Sequence, residues 1–513
     1  MNKNFYITTP IYYPSAKPHM GHAYTSIIAD VFARFKKIDG FNVHFLTGTD
    51  EHGLKIQRAA EKKNMDPLHF CDEISKTFKN LSKILNLSNT DFIRTTENRH
   101  QKSVQYLWNL LEKNDDIYLS KYSGWYSVSD EAFYSDDEIT TKDNKKISIT
   151  SGSLVEWVEE ESYFFRLSKW QSKLIDYYEK NPEFILPISR RNEVISFVKS
   201  GLKDLSISRK SFSWGIKVPN NKDHVIYVWL DALTNYLSSV NYPDINNDLY
   251  KNYWPTNIHL IGKDILRFHA VYWPAFLLAA KVPLPLRIFG HGWILSGEEK
   301  MSKSKGNILD PLEIVNEYGL DPLRYYLVKE VSFGNDGSIS KDRLENCINS
   351  DLANNFGNLC QRVTAFNEKN CSSLVPIRSE FNDDDLRLLN KFSTNVDVIR
   401  KEMNLQNLNF YVDFIINSLF DANKYFNDQE PWKKKNEPKR LNTIVYTSLE
   451  LIRKISILLF PIIPGTIIKT LRIFELSEDD IDFSSIGNHD YLKPKKKINK
   501  IDILFKKIEI NND

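Results

Sequence analysis

Two strand–helix passes at the start of the chain limit what it can become. "NFYITTPIYY" (4–13) is β-branched and aromatic, is bounded by Pro14 and Ser15, and reads as a buried strand. Pro18 predicts the opening of a helix, where its missing N–H does no harm. That helix runs through "HMGHAYTSIIADVFARFKKIDG" and stops near Gly40. "NVHFLTGTDEHG" predicts a second strand ending in a polar loop, and "LKIQRAAEKKNM" resumes a helical pattern. Strand, helix, strand, helix in this order predicts a parallel sheet with crossover helices. Such sheets bind ligands at the carboxyl ends of their strands.

Between about 115 and 225 the character changes. Short alternating strands and many turn residues predict an inserted β-rich module, which splits the first domain. "HVIYVWLDALTNYL" and "NIHLIGKDILRFHAVYWPAFLLAA" restore the strand–helix rhythm. From about 345 onward, "DLANNFGNLCQRVTAFNEKN" and "LNTIVYTSLELIRKISILLFPIIPGTIIKTLRIF" carry apolar residues at three- and four-residue spacing, the mark of an all-helical bundle. The expected organisation is a Rossmann-type α/β catalytic domain in two halves (1–114 and 226–309) around the module (115–225). A linker (310–350) and a helical domain with a C-terminal tail (351–513) follow.

Charge and cysteine content narrow the setting. Lys and Arg total 68 against 66 Asp and Glu, so the net charge of +2 neither demands nor excludes a nucleic-acid partner. Basic runs stand at "PWKKKNEPKR" (431–440) and "LKPKKKINK" (492–500). Cys71, Cys347, Cys360 and Cys371 form no C-x-x-C pair, hence no disulfide framework or thiolate metal site. A reducing, cytoplasmic setting is expected. No stretch reaches the 18 apolar residues of a membrane span, and the N-terminus shows no apolar signal core.

Two short motifs carry chemistry. In "PHMGH" (18–22), His19 and His22 stand three apart and share a helix face. They sit where unpaired backbone N–H groups and the positive dipole end attract an anion. Gly21 between them removes a side chain and would let a flat ring lie against the backbone. "EEKMSKSKGN" (298–307) sets Lys300, Lys303 and Lys305 among two serines on a loop. A solvated surface loop is the bland reading of the lysines, and surface histidines or metal ligands are those of "PHMGH". Together, at the ends of one sheet, the two motifs point to a nucleotide.

The two motifs resemble the signatures of the class I aminoacyl-tRNA synthetases. "TTPIYYPSAKPHMGHAYT", "LTGTDEHG", "YVWLDALTNYL", "IGKDILRFHAVYWPA" and "HGWILSGEEKMSKSKGN" resemble the methionyl-tRNA synthetases in particular, and the likeness runs through nearly the whole chain. The resemblance implies ATP-dependent activation of methionine to methionyl-adenylate, then transfer to tRNA(Met). Methionine's carboxylate, already ionised at pH 7, would attack the α-phosphate without a general base. His19, Gly21, His22 and His291 would contact ATP. Lys300 and Lys303 would close over pyrophosphate, which fits the loop mobility that Gly297 and Gly306 suggest, and Mg²⁺ would enter as the ATP counter-ion.

The same resemblance implies a methionine pocket of Ile11, Tyr13, Asp50, Trp229, Ala232, Tyr236, Ile265, Phe268 and His269, with Asp50 on the substrate ammonium. A polarizable thioether suits such aromatic walls. Asp231 and Asp264 are further candidates. Asn358, Arg362 and Trp432 match positions that read a CAU anticodon by base edges and stacking. Taken singly, the aromatics read as core, Trp432 as a surface residue and Arg362 as a helix-face charge.

The chain departs from many family members in the inserted module. "GWYSVSDEAFY" puts Ser127 and Asp130 where a first zinc-knuckle cysteine pair would stand, so no structural zinc and no other metal ligand is expected. Trp125, Phe133 and Trp157 are expected to hold the module instead. The chain stops soon after "LFKKIEI", where longer relatives append a dimerisation module, and a monomer is expected. The alternatives are a class I synthetase for leucine, isoleucine or valine, an inactive RNA-binding scaffold on this fold, or a metal-dependent hydrolase using His19 and His22.

Overall fold

The first two strands and the helix between them are β1 (Asn4–Tyr12), α1 (Met20–Ile38) and β2 (Asn42–Thr49). The computed structural model describes residues 3–14, 17–130, 132–296, 299–300 and 309–509. These divide into two compact units, Met1–Pro18 with Val43–His291, and His19–Asn42 with Gly292–Asp513.

In the first unit the chain continues through α2 (Leu54–Glu61), α3 (Pro67–Ile84), β3 (Asp91–Arg94) and α4 (Asn98–Lys113). β4 (Ile117–Ser127), β5 (Ala132–Tyr134), β6 (Glu156–Phe165), β7 (Ile185–Leu186) and β8 (Leu205–Ser206) follow. After α5 (Val228–Leu233) come β9 (Ile258–Gly262), α6 (Trp273–Ala280) and β10 (Ile288–His291). The main sheet has the order β3-β2-β1-β9-β10-β7. The pairs β2·β3, β1·β9, β9·β10 and β10·β7 run parallel, as the alternation of strands and helices predicts. Gly48 lets β2 approach β3, because a Cβ there would lie 2.0 Å from the Ile93 carbonyl oxygen. Helix α4 buries Val104, Leu107, Trp108 and Leu111, one stripe at three- and four-residue spacing, in the core of this unit. Each such side chain contributes about 1.5–3 kcal/mol by leaving water.

The inserted module contains a second, antiparallel sheet of order β8-β6-β4-β5. Trp125 meets Trp157 edge-on with ring centroids 5.1 Å apart, yet Trp157 is 50% exposed. That pair covers the surface more than it fills a core, and the side chain of Phe133 lies outside the described residues. A polar hub stands beside it. The Asp130 carboxylate accepts hydrogen bonds from Tyr134 Oη (2.8 Å), Ser151 Oγ (2.5 Å) and Ser153 Oγ (2.8 Å). Its own N–H donates to Ser127 Oγ at 3.3 Å. Burial raises the Asp130 pKa, but these hydroxyl donors outweigh burial and hold it below the ordinary carboxylate value. Asp130→Ala is therefore expected to loosen residues 127–153 by about 1–3 kcal/mol, read as faster amide exchange there with the main sheet unchanged.

In the second unit, β11 (Ile294–Ser296), β12 (Glu299–Lys300) and β13 (Gly337–Ile339) make a small sheet of order β12-β11-β13. Its helices include α7 (Pro311–Tyr318), α8 (Leu320–Glu330), α9 (Asn358–Asn370), α10 (Asp383–Asn404) and α11 (Leu408–Asp428). The last two are α12 (Pro438–Leu459) and α13 (Pro464–Leu471). The long apolar run of the sequence is thus two helices, parted where Pro464 begins the second at a position that tolerates proline. Arg440 of α12 holds Asp385 of α10 with a two-pronged contact of 2.6 and 3.0 Å. Helix α1 also belongs to this unit and is buried on nearly every face, with Lys36 and Lys37 in its last turn complementing the dipole.

Candidate active site

In the first unit, the carboxyl ends of β1 and β2 run into Tyr13 and the loop Asp50–Gly53. Asp50 N–H donates to the Tyr12 carbonyl at 2.9 Å, and the Asp50 side chain is buried. Glu51 is wholly buried: its Oε1 accepts from Thr49 Oγ1 (2.8 Å) and Arg94 Nε (2.7 Å), and its Oε2 from Thr96 Oγ1 (2.6 Å). Tyr13 Oη donates to the His52 carbonyl at 2.6 Å. Ile11 and Tyr13 are half-buried against the core of this unit.

Further side chains come from α5, from the short helix Asn235–Ser238 that follows it and from the turns after β9. Trp229 and Phe268 stack in parallel, 3.7 Å apart with 6° between planes. His269 lies edge-on to Trp229 at 6.4 Å. Ile265 and Phe268 are half-buried, while Ala232, Tyr236 and His269 are buried. Residues Phe268–Tyr272 form a π-helical turn, a widened geometry common at functional sites. Within it His269 Nδ1 lies 3.0 Å from the Ile265 carbonyl, and Nε2 lies 2.7 Å from Tyr236 Oη. A carbonyl only accepts, so Nδ1 carries the proton and Tyr236 donates to Nε2. Burial pushes the His269 pKa down to about 4, so this ring is neutral at pH 7. Trp229, Ala232, Tyr236, Ile265, Phe268 and His269 are therefore one cluster. Tyr13 and Asp50 form a second one at the strand ends, joined to the first through α5 as described next.

Asp231 of α5 lies between two imidazoles. Its Oδ2 is 2.6 Å from His52 Nδ1 and its Oδ1 is 2.7 Å from His100 Nε2, with Asp231 and His100 fully buried. Both oxygens are occupied, so Asp231, named above only as a further candidate, is engaged by two imidazoles. Asp264 is exposed in the short turn Lys263–Ile265. His291 ends β10, buried, with its backbone in register with Gly262.

In the second unit, helix α1 begins two residues later than Pro18 suggests. His19 is the N-cap, with extended backbone (φ −132°, ψ 176°), and Met20 is the first helical residue. The cause is a reciprocal cap made by the histidines themselves. Gly21 N–H donates to His19 Nδ1 at 3.1 Å, and His19 N–H donates to His22 Nδ1 at 3.0 Å. The rings lie 3.8 Å apart. A Cβ on Gly21 would come within 3.0–3.1 Å of the His19 ring, so glycine here makes room for the cap. Each Nδ1 accepts, so each neutral ring keeps its proton on Nε2 as a donor. Burial and the neighbouring His19 hold the His22 pKa well below its ordinary 6.5.

Lys303 and the rest of 301–308 lie outside the described residues, as does Gly297, and so does the side chain of Lys300, whose backbone pairs with Leu295. Asn358 and Arg362 stand one turn apart on α9. Arg362 Nη2 donates to Asn427 Oδ1 at 2.6 Å and its guanidinium lies over Phe426 at 5.5 Å. Trp432 packs edge-on against the same Phe426 at 6.3 Å while remaining 42% exposed. Arg362 and Trp432 thus share one aromatic neighbour. His52 and His100 escape a reading of the sequence: His52 is visible in "TDEHG", but nothing local announces a partner in α5. Among the described residues no group of three or more His, Cys, Asp or Glu is placed to hold a metal ion. No helix among them is long and apolar enough to cross a membrane.

The family model "tRNA synthetases class I (M)" matches residues 5–364, and the model "Anticodon binding domain of methionyl tRNA ligase" matches residues 375–513. A methionine–tRNA ligase of Brucella suis is 48% identical over 485 residues, 94% of each chain. One of Rickettsia conorii is 49% identical over 513 residues, 99% of this chain and 100% of the relative. The solved structure of Mycobacterium tuberculosis methionyl-tRNA synthetase in complex with methionyl-adenylate is 44% identical and superposes with a TM-score of 0.96, covering 98% of this chain and 99% of that one. From its parallel sheet to its helical C-terminal region, the chain belongs to the methionine–tRNA ligases, within the class I tRNA synthetases.

Proposed function

We propose that the protein joins methionine to ATP, releasing pyrophosphate, and passes the methionyl group to tRNA(Met). Methionine's carboxylate oxygen attacks the α-phosphorus, and the bond to the bridging oxygen of the β-phosphate breaks, leaving pyrophosphate with that oxygen's charge. A hydroxyl of the tRNA's terminal adenosine then attacks the methionyl carbonyl, and AMP departs. Mg²⁺ carried in with ATP would supply positive charge to the phosphates. The observation that carries this reading is the histidine cap on α1, which locks both rings with Nε2–H as donor at the positive end of the helix. His19, Gly21 and His22 bind ATP with His291, and Lys300 and Lys303 neutralise the departing pyrophosphate.

Ile11, Tyr13, Trp229, Ala232, Ile265, Phe268 and the Tyr236–His269 pair enclose the methionine side chain, and Asp50 takes its ammonium. Asn358, Arg362 and Trp432 read the CAU anticodon, the exposed indole by stacking. The protein acts as a monomer in the cytoplasm, with catalytic halves 1–114 and 226–309, inserted module 115–225, linker 310–350 and anticodon domain 351–513. The inserted module works without zinc, its Asp130 hub standing where a zinc knuckle would be.

Amino-acid-dependent ATP–pyrophosphate exchange on chelator-treated protein tests this, with methionine, leucine, isoleucine and valine in parallel. Exchange with methionine alone, once Mg²⁺ is restored, is expected, and exchange with another of the four instead would overturn the substrate. Tyr236→Phe removes the donor to buried His269 Nε2, a loss of about 1–3 kcal/mol. It is expected to raise the methionine KM roughly tenfold while leaving the ATP KM in place.

A further inference from the structure

We propose that Asp231 is a positioning residue that holds the two walls of the amino-acid pocket in register. The proposal rests on the methionine-activating reading above. Asp231 sits on α5 between Trp229 and Ala232, so its carboxylate reports where that wall stands. Its two oxygens reach His52 Nδ1 and His100 Nε2 at 2.6 and 2.7 Å. Burial raises the Asp231 pKa, but the two imidazoles outweigh burial and keep the carboxyl below its ordinary value. An ionised carboxylate can only accept, so both imidazoles donate and their tautomers are fixed.

The consequence runs into the opposite wall. His52 lies two residues after Asp50 in the strand-end loop, and its carbonyl accepts from Tyr13 Oη at 2.6 Å. Its ring also meets Trp214 edge-on at 5.5 Å, and Trp214 Nε1 donates to the Glu51 carbonyl at 2.6 Å. One carboxylate therefore ties α5 to the loop that carries Asp50 and to Tyr13. His100 anchors the other oxygen from α4, with its Nδ1 3.0 Å from Ser238 Oγ. Asp231 and His100 are fully buried and His52 nearly so, and a charge-assisted bond between buried partners is stronger than one in water, which stiffens the link.

A buried carboxylate placed only to hold the fold would, when changed, lower stability and the amount of active enzyme. The clamp makes a different demand, because the methionine site depends on the distance between walls and the ATP site does not. D231N keeps the shape and loses one acceptor; the softer H100Q keeps an N–H donor and loses the ring. For D231N the methionine KM is expected to rise about tenfold or more, with the ATP KM within about twofold of wild type. H100Q should show the same pattern at smaller size.

In ¹⁵N-histidine spectra of wild type, the His52 Nδ1–H and His100 Nε2–H protons are expected far downfield and slow to exchange. Equal methionine KM in wild type and both variants would overturn the proposal, as would a loss confined to kcat, or absence of the two protons from wild type. Should D231N fail to fold, H100Q and the wild-type spectrum decide. If wild type exchanges with leucine in place of methionine, the substrate reading fails, and the same KM comparison run with leucine still judges the clamp.

Discussion

Replacing His22 by alanine is expected to lower kcat for methionine-dependent ATP–pyrophosphate exchange by about 10²–10³-fold, the usual size for one preorganised donor aimed at developing charge. The His22 ring is held in place by the His19 N–H on Nδ1, so its Nε2–H needs no reorganisation when charge grows on the phosphates. Its alanine replacement loses the donor and half of the reciprocal cap. The cap alone is worth about 0.5–2 kcal/mol of helix stability, so thermal unfolding must be measured beside the rate. A fall in kcat with little change in melting temperature identifies the donor. His22→Gln, which offers both an acceptor and a donor, is expected to recover part of the rate.

The pH dependence follows from the direction of the shift. Burial and then His19 depress the His22 pKa below 6.5. A base depressed by folding is stabilised in its neutral form, so its contribution is present at neutral and higher pH and is lost as pH falls through the lowered value. Between pH 6.5 and 8 the exchange rate should show no limb belonging to His22. A limb near pH 6.5 that vanishes in His22→Gln would contradict this account of the cap.

Arg324→Leu is expected to destabilise the second unit by about 3–5 kcal/mol, the range for breaking a buried ion pair by removing one partner. Arg324 and Asp30 are fully buried, with Nη2 2.7 Å from Asp30 Oδ2. Arg34, one turn along α1 from Asp30, donates to the same oxygen at 2.8 Å. Arg324 Nε also donates to the Ile462 carbonyl at 2.7 Å, and Nη2 to the Pro461 carbonyl at 3.0 Å. Leucine would leave two buried carbonyls without this donor and take the Arg324 charge away from buried Asp30. A drop in thermal midpoint of roughly 10 °C follows for a unit of this size, read by calorimetry. Arg324→Lys keeps the charge but not the fork that serves the carboxylate and the carbonyls at once, and should fall between. Since α1 begins with the histidine cap, Arg324→Leu should also weaken exchange activity below the unfolding temperature.

The local devices were readable in the chain itself. "NFYITTPIYY" and "NVHFLTGT" read as strands because β-branched and aromatic runs suit a buried pleated surface. His19 and His22 could be read as neighbours because three residues make nearly one helical turn, although the structure leaves His19 outside the helix as its N-cap, with the rings 3.8 Å apart. The signature motifs carried the family for the same reason, being runs of neighbours whose spacing the backbone preserves. Tertiary structure decided everything that depends on distant partners. Asp231 was no more than a further pocket candidate in the sequence, and its partners His52 and His100 lie 179 and 131 residues away. Trp157 was expected inside the module and lies half exposed, while Asp130, Ser151 and Ser153 do the holding. Even the start of α1 moved, because an imidazole can cap a helix only when its ring folds back on the backbone. Spacing along the chain sets which neighbours can meet, but burial removes water from both partners of a polar pair, and only the folded chain says which partners those are.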